Sequence, residues 1–224
     1  MAKTPKSDTS RGSEDASMKQ PKIQYPRRTE RRRRTRAAIL KAAGHHFRKE
    51  GYAATTMQAI ADSADVHVTT LFMHFKTKAD LALALVQDRT DALRKRAFEA
   101  RGSTGFFAFF RQEAITRAKT LAEAKKPETT FWNALRTDAD LAFASASSNT
   151  DQTDIFGRFV AEEFGLDREE DYRPDLVALL LLAATDLAYQ KWINSDRRSD
   201  PVKEISGALD TAEPAARHML GLKN

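Results

Sequence analysis

The stretch TTMQAIADSADVHVTTLFMHFKTK, from Thr55 to Lys78, decides the fold of this chain. Thr55 and Gln58 have the spacing of a capping box, so a helix is predicted to begin there. Asp65 lies where the chain must then turn sharply, and Asp is one of the few non-glycine residues that tolerate a left-handed conformation. Between these points, apolar residues recur at helical spacing for about two turns: Met57, Ile60, Ala61 and Ala64.

A second short helix is predicted after this turn. Val66, Leu71 and Phe75 can point inward from it. A capping box at Thr77 and Asp80 begins the helix after that. The other residues of the second helix carry small hydroxyl, methyl and imidazole groups on or near its outer face: His67, Val68, Thr69, Thr70, Met73 and His74. This arrangement is typical of a helix-turn-helix unit, which places its second helix in the major groove of DNA.

Residues 30–86 carry a longer pattern of residue types. It comprises RTRAAILKAA at 34–43, Phe47, EGY at 50–52, Thr55, Thr56, Ile60, Ala61, Val66, TLF at 70–72, His74, Phe75, Lys78 and Leu81. This pattern resembles the N-terminal domain of TetR-family transcriptional regulators. The resemblance implies an all-α fold, with an N-terminal three-helix helix-turn-helix domain and a C-terminal helical domain that binds a ligand and dimerises. It also implies a homodimeric repressor that a small-molecule ligand releases from a palindromic operator.

Three positions depart from the family's usual residues. The family usually has Gly at the turn where this chain has Asp65, and often has Gly at Thr69. It often has Tyr at Phe72, where the hydroxyl bonds a DNA phosphate. The loss of that hydroxyl should remove one phosphate contact without removing the fold.

The resemblance and the helical pattern together give candidate DNA-binding residues. Base or groove contacts are expected from His67, Val68, Thr69, Thr70, Met73 and His74. Backbone contacts are expected from Thr55, Phe72 and Lys78, and the last of these positions contacts the DNA backbone in the family. Arginines of the N-terminal arm are expected to add phosphate or minor-groove contacts: Arg27, Arg28, Arg31, Arg32, Arg33 and Arg34.

Charge is distributed unevenly along the chain of 224 residues. Residues 1–50 hold 15 Lys and Arg against 5 Asp and Glu, a net charge of +10, and the remaining residues together carry −4. The basic end therefore indicates a polyanionic partner. Cysteine is absent, which excludes disulfides and thiolate metal sites and fits a reducing cytosol.

Three segments are predicted: a disordered basic arm at 1–29, a helix-turn-helix domain at 30–80, and a helical effector-binding and dimerisation domain at 81–224. The arm has almost no large apolar residue, so it cannot offset the entropy lost on ordering. Its arginines allow three interpretations: a solvated tail, an arm along phosphates or in the minor groove, or a localisation signal. The first helix is predicted from about Glu30 to Lys49.

The helix predicted at about 173–194 is apolar around nearly its whole circumference, so it must be covered on all sides. In a domain this small we expect a second copy of the chain to supply the cover. A last helix, at about 201–213, is predicted to be interrupted at Pro214. In the TetR family these two helices form the dimer interface, and a homodimer through them is predicted here.

The C-terminal domain is rich in aromatic residues, and the resemblance implies that it holds a small apolar or amphipathic effector. Each candidate lining residue could instead be ordinary core. Asp186 is a separate case, because a carboxylate within an apolar helix is costly unless paired. It is predicted either to form an ion pair or to meet a polar group of the ligand. The candidates are Phe107, Phe110, Trp132, Phe143, Phe159, Asp186 and Tyr189.

Other chemistry has little support in the sequence. His-Glu-x-x-His, Gly-x-Ser-x-Gly and a Gly-rich phosphate loop are all absent, so neither an enzyme nor a metal or cofactor site is predicted. Residues 1–35 lack the apolar core of a signal peptide, and the longest apolar run, at 176–185, is shorter than the roughly 20 residues that span a bilayer. A cytoplasmic regulator is predicted. The alternative is a non-specific nucleic-acid binder that uses the arginine-rich arm.

Overall fold

The described part of the chain is built from helices, with no strand in residues 26–123, 131–195 and 199–222, the ranges that this computed structural model describes. In chain order the helices are α1 (Pro26–Lys49), α2 (Met57–Ser63), α3 (Val68–His74), α4 (Lys78–Ala100), α5 (Phe106–Ala122), α6 (Phe131–Thr137), α7 (Ala142–Phe164), α8 (Arg173–Asn194) and α9 (Pro201–Met219). A short 3-10 helix, Ala139–Leu141, leads from α6 to α7. The predicted all-α class is confirmed.

Helix α2 begins one residue later than the sequence predicts. Its N-cap is Thr56, whose hydroxyl oxygen accepts a hydrogen bond from the N–H of Ala59 at 3.1 Å. Thr55 is buried and donates its hydroxyl to the carbonyl oxygen of Gly51 at 2.7 Å. The predicted capping box of Thr55 and Gln58 is therefore wrong, because the Thr55 hydroxyl is already used to close the preceding turn.

The turn between α2 and α3 is a Schellman motif. Asp65 has a φ of 54°, in the left-handed region, as predicted. The N–H of Val66 donates to the carbonyl of Ala61 at 3.1 Å, and the N–H of Asp65 donates to the carbonyl of Asp62 at 3.2 Å. These bonds fix the angle at which α3 leaves α2.

This backbone conformation makes the effect of substitutions at Asp65 predictable. Asp65→Val is expected to lower the free energy of unfolding by about 1–2 kcal/mol, because a β-branched residue is strained at positive φ. Asp65→Gly, which fits the conformation, is expected to stay within about 0.5 kcal/mol of the wild type. Urea denaturation of both variants measures the difference. An equal loss in both would show that contacts of the Asp side chain, rather than backbone strain, matter at this position.

The helix-turn-helix packs on a core formed with α1 and the start of α4. Its most deeply buried large side chains are Ile39, Phe47, Ile60, Leu71 and Leu81. Leu71 is the buried residue of α3, so the opposite side of that helix is left outside the core. The predicted capping box at the start of α4 is present, since Thr77 and Asp80 exchange both hydrogen bonds at 3.0 Å.

A second core lies among α4, α5, α7, α8 and α9. Phenylalanine rings fill much of it, with 4.8 Å between the ring centroids of Phe110 and Phe156 and 5.4 Å between those of Phe109 and Phe159. Helix α4 contributes to both cores. Leu135 and Leu141, from the α6 region, pack into the first core although they lie far beyond residue 80 in sequence. The first core therefore includes residues from beyond residue 80, where the sequence predicts the domain boundary.

Helices α1 and α9 differ from their predicted bounds. Helix α1 begins at Pro26, so the last residues of the predicted arm are helical, whereas residues 1–25 lie outside the described residues. Pro214 does not interrupt α9, which continues to Met219. Pro214 is exposed, where water can reach the carbonyl that it leaves unbonded, and burial of Ala216 holds the helix beyond it.

Helix α8 packs against α7 and α9 but keeps an exposed apolar side in the single chain. Its exposed leucines are Leu176, Leu179 and Leu187. By length and composition it is also the one helix in the described ranges that could cross a membrane, with a mean hydropathy of 1.4 over a window that is one-third buried. The uninterrupted apolar run at 176–185 is too short to indicate such a helix by itself.

Candidate nucleic-acid interface and effector cavity

Helix α3 presents a continuous outer face. His67 and Thr69 are exposed, Phe72 is 46% exposed and Met73 is 80% exposed. Thr70 and His74 are half-buried, and Val68 packs partly against the first core. The predicted base-contacting residues therefore lie on one short helix, with Val68 contributing mainly to packing. Phe72 supplies an exposed aromatic ring without the hydroxyl that its usual counterpart has.

His67 is the N-cap of this helix. Its Nδ1 lies 2.8 Å from Oγ1 of Thr69 and accepts a hydrogen bond from the N–H of Thr69 at 3.4 Å. Because Nδ1 is the acceptor, the ring proton of the neutral imidazole is on Nε2. The exposed ring thus offers an N–H donor at the start of the helix, where the groove of DNA would present base acceptors.

Arginines of α1 lie beside the other end of α3. Burial, together with the nearby charges of Arg32 and Arg36, lowers the pKa of His74. The guanidinium of Arg36 lies 5.1 Å from the centroid of the Phe75 ring. The candidate arginines with described side chains are exposed: Arg28, Arg31, Arg32, Arg33 and Arg34. The side chain of Arg27 lies outside the described residues.

Two of these arginines are partly neutralised. Glu30 accepts hydrogen bonds from Arg33 at 2.9 and 3.0 Å and from Arg34 at 2.9 Å. These bonds, with Arg33 contributing most, lower the pKa of Glu30 to about 2. Arg28, Arg31 and Arg32 are consequently the better placed candidates for DNA phosphates.

Two predicted backbone contacts are not supported by the geometry. Thr55 is 2% exposed and its hydroxyl is bonded to Gly51. The Nζ of Lys78 donates to three carbonyl oxygens, those of Tyr52 at 2.8 Å, Ala53 at 3.2 Å and Thr55 at 3.1 Å. It also lies 4.4 Å from the centroid of the Tyr52 ring. An ammonium group has three N–H donors, so Lys78 joins α4 to the α1–α2 connection instead of reaching outward.

Lys76 is a basic residue that was not among the predicted DNA contacts. It is exposed in the segment between α3 and α4. A basic residue directly after the second helix is a sequence signal for a phosphate contact at Lys76. The family resemblance instead favours Lys78. Lys76 is therefore a candidate for a phosphate contact near this end of α3.

A cavity of about 490 Å³ lies in the C-terminal region, among α4, α5, α7 and α8. Of the predicted ligand-binding residues, Phe110, Asp186 and Tyr189 line it. Phe107 and Phe159 are buried in the second core and are not part of this lining. The side chains of Trp132 and Phe143 lie outside the described residues. Asp186 is on an exposed part of α8, where Gln190 donates a hydrogen bond to it at 2.8 Å.

The polar lining of the cavity was not predicted. It includes Arg89 and Arg96 from α4 and Glu113 and Arg117 from α5. Arg96 donates two hydrogen bonds to Glu113, at 2.8 and 2.7 Å. No spacing rule marks these residues, because they come together only when α4 and α5 pack against each other.

The short, exposed α3 on its Schellman turn, with arginines beside it, defines a helix-turn-helix DNA-binding protein. Residues 39–85 match the family model described as bacterial regulatory proteins, tetR family. A curated relative, the HTH-type transcriptional activator FasR of Mycolicibacterium smegmatis, is 26% identical over 196 residues, which cover 82% of this chain and 84% of that protein. Residues 39–85 thus form a DNA-binding domain of the TetR family, and the chain is similar to HTH-type transcriptional regulators over most of its length.

Solved structures share the fold. SmeT, the repressor of the Stenotrophomonas maltophilia multidrug efflux pump SmeDEF, matches with a TM-score of 0.59 and 22% identity, over 80% of this chain and 89% of that one. The regulator FadR of Bacillus subtilis, solved with stearoyl-CoA, matches with a TM-score of 0.58 and 16% identity, over 79% of this chain and 96% of that one. Proteins of this family are transcriptional regulators, which in general are not enzymes.

Proposed function

We propose that the protein is a homodimeric repressor that binds a palindromic operator and is released when a small molecule occupies its cavity. The outer face of α3 is the observation that carries this proposal. That face is exposed over a full helical stretch, whereas the inner face is fixed to the core through Leu71. A helix held in this way can enter the major groove without rearrangement of the domain.

The proposed contacts divide into two groups. His67, Thr69 and Met73 are placed for base edges, since a hydroxyl and an imidazole N–H can bond base acceptors and Met73 can contact a thymine methyl group. Lys76 and the arginines of α1 are placed for phosphates, which fix position but carry no sequence information directly. The second group is consistent with the net charge of +10 in residues 1–50.

The proposed homodimer forms through α8 and α9. Leu176, Leu179 and Leu187 leave an apolar side of α8 exposed in one chain, and burying such a side is favourable. The exposed side of α9 carries small residues, Gly207, Thr211 and Ala215, which allow a partner helix to approach closely. A two-fold pair would present two copies of α3 to half-sites about 34 Å apart, or a multiple of that distance.

Helix α4 is the proposed connection between the cavity and DNA. Its first residue, Lys78, is bonded to the α1–α2 connection. Arg89 and Leu93, about three and four turns further along α4, line the cavity. Leu135 gives a second connection, because it lines the cavity and also packs in the first core. A ligand that moves either element would change the spacing of the two α3 helices.

We propose a cytoplasmic location, as for other regulators that act on DNA, and an apolar or amphipathic effector. The exposed side of α8 is then covered by the partner subunit rather than by lipid. We prefer repression to activation, because a ligand can release the protein from DNA simply by changing the distance between the two α3 helices of the dimer. The relative FasR is named an activator, so measurement of transcription from the operator must distinguish repression from activation.

Selection of bound fragments from random or genomic DNA by the purified full-length protein tests this function. A recovered palindrome is expected. Thr69→Ala and Met73→Ala should each weaken binding to it by about 1–3 kcal/mol and relax preference at a few positions. Joint replacement of Arg28, Arg31 and Arg32 by Ala should instead weaken binding to all sequences and reduce the salt slope by about 3.

The same experiment decides between this function and non-specific binding. A non-specific binder would lose its affinity with the three arginines and would be insensitive to Thr69→Ala. It would also return fragments without a shared sequence. Glu30→Gln is a useful companion variant, because it frees Arg33 and Arg34 without altering α3 and should steepen the salt dependence.

A further inference from the structure

Two buried hydroxyl groups lie in the wall of the cavity. Among the described residues, three polar side chains are buried, those of Thr55, Thr90 and Ser148. Thr55 belongs to the turn before α2, where its hydroxyl donates to the carbonyl of Gly51. Thr90 on α4 is 3% exposed and Ser148 on α7 is 8% exposed, and both line the cavity. Two of these three buried polar side chains are therefore at the site proposed for the effector.

The Thr90 hydroxyl has no hydrogen-bond partner within residues 26–123, 131–195 and 199–222. A threonine inside a helix often donates to the carbonyl four residues earlier, as Thr120 and Thr153 do at 3.1 and 3.0 Å. Water can bond an exposed hydroxyl, but Thr90 is buried, and a hydroxyl without a partner is costly there. Because the accessible part of Thr90 faces the cavity, a molecule held in the cavity can supply the partner.

Ser148 also has a hydroxyl proton to donate. Its oxygen accepts a hydrogen bond from Nε2 of Gln152 at 3.0 Å, and its proton has no acceptor in the described part of the chain. A ligand atom with lone pairs, such as an oxygen, therefore suits both Thr90 and Ser148.

The two hydroxyls are at the same level of neighbouring helices. Nη2 of Arg94, on α4, lies 3.8 Å from Oδ1 of Asp151, on α7. Nη1 of Arg101 lies 2.7 Å from Oε1 of Glu162, so the two helices run side by side in the same direction. The first hydroxyl belongs to the residue one turn before Arg94, and the second to the residue about one turn before Asp151. A ligand oxygen between the helices can therefore accept from both.

The rest of the inner lining is apolar. Phe110 and Phe156, whose ring centroids are 4.8 Å apart, form an aromatic wall, and Leu93 and Leu121 extend it. A charged ligand group would lose its water beside two neutral hydroxyls, which cannot balance its charge. The inner cavity therefore suits an uncharged oxygen on an apolar body. The ionised lining residues are exposed or half-buried, which places them toward the outside of the cavity: Arg89, Arg96, Glu113, Arg117 and Asp186.

We infer that the effector carries an uncharged acceptor oxygen, as a ketone or an ester carbonyl does, and that this oxygen accepts hydrogen bonds from Thr90 and Ser148. Its apolar body then lies against Phe110 and Phe156. This inference rests on the proposed ligand-responsive function and names the chemical class of its ligand. Because the two hydroxyls belong to α4 and α7, a shared acceptor holds these helices together, and α4 is the helix that begins beside α3.

Matched ketones and hydrocarbons test this inference on the full-length protein. The probes are 1-tetralone with tetralin and butyrophenone with butylbenzene, and each ketone has a carbonyl where its hydrocarbon has a methylene group. Ligand-observed NMR gives the affinity of each probe for the wild type and the variants. Because the hydrophobic effect alone favours the hydrocarbons, the ratio of ketone to hydrocarbon affinity is compared between variants.

Thr90→Val replaces the hydroxyl by a methyl group of similar size. In at least one pair of probes it is expected to lower the ratio about threefold to tenfold, without a loss of hydrocarbon affinity, because one hydrogen bond is removed. Ser148→Ala should lower the ratio by a similar factor, while Gln152 keeps its bond to the main-chain carbonyl of residue 148 at 3.2 Å. Thr153→Val is the matched control. Thr153 also lines the cavity, but its hydroxyl already donates to the carbonyl of Asn149 at 3.0 Å, so the ratio should not change.

Thermal melting adds a measurement that needs no ligand. Since the Thr90 hydroxyl has no partner in the described protein, Thr90→Val is expected to leave Tm unchanged or to raise it by up to about 4 °C. Thr90→Ser keeps the hydroxyl and should keep the ratio of the wild type. A lower Tm or an unchanged ratio in Thr90→Val, an equal loss in Thr153→Val, or no binding of either ketone would overturn the inference.

A failure of this inference can be told from a failure of the proposed function. If the protein recovers a palindrome but the ratio does not respond to Thr90→Val, the ligand class is wrong and the regulator stands. If the ratio responds as expected while the bound ketone leaves DNA affinity unchanged, the release mechanism is wrong and the acceptor site stands.

Discussion

Joint replacement of Leu176 and Leu187 by Glu is expected to convert the protein to a monomer and to lower its affinity for a palindromic operator by about 10²–10⁴-fold. Both side chains are about half or more exposed in the single chain, and neither lines the cavity. Charges placed there would face one another across a two-fold axis and remain unpaired on burial. The operator affinity falls because each half-site must then be bound independently.

Sedimentation and DNA titration measure these two effects. Phe98→Glu is the control, because Phe98 is 70% exposed on α4 and belongs to neither proposed surface. Phe98→Glu also replaces an exposed apolar side chain by Glu, and this variant is expected to remain a dimer. Helical content should be retained in both proteins. A double variant that stayed dimeric and kept its operator affinity would place the subunit contact on another surface.

Lys78→Met is expected to lower the free energy of unfolding by about 2 kcal/mol while leaving the salt dependence of DNA binding unchanged. The substitution keeps an apolar stem of similar length but leaves the carbonyls of Tyr52, Ala53 and Thr55 without their common donor. Hydrogen bonds from a charged group to carbonyls in a half-buried position account for that magnitude. Because its Nζ donates to three carbonyl oxygens of the protein, Lys78 is not expected to add a phosphate contact.

Lys76→Met is the complementary variant. Lys76 is exposed, so its loss should change stability little and should reduce the salt slope of DNA binding by about 1. Urea denaturation and DNA titration at several salt concentrations separate the two residues. If Lys78→Met reduced the slope and Lys76→Met did not, the Lys78 ammonium would have to leave its carbonyl partners on DNA, and the assignment would be reversed.

Much of the helix-turn-helix could be predicted because its determinants are local. The left-handed Asp65 and the capping box of Thr77 and Asp80 depend on residues a few positions apart, and the structure has both. The error at Thr55 was also local. Thr55 and Thr56 are adjacent, and the hydroxyl of either could cap α2. Thr56 is the N-cap, because the Thr55 hydroxyl donates to the carbonyl oxygen of Gly51.

Lys78 and the cavity could not be predicted in the same way. The carbonyl partners of Lys78 are 23 to 26 residues earlier in the chain, so no local sequence pattern indicates them. Aromatic content suggested a pocket, but Phe107 and Phe159 fill the second core instead of lining a cavity. In the sequence, Arg89 and Arg117 look like ordinary residues of solvated helix faces. They become part of the cavity lining only because α4 and α5 pack together.

The attachment of α3 through Leu71 has an evolutionary consequence. Since the residues that face DNA contribute little to the core, they can be exchanged with a small cost in stability. A duplicated copy of this gene could therefore change the outer face of α3 through a few substitutions, while Leu71 keeps the helix attached to the same core.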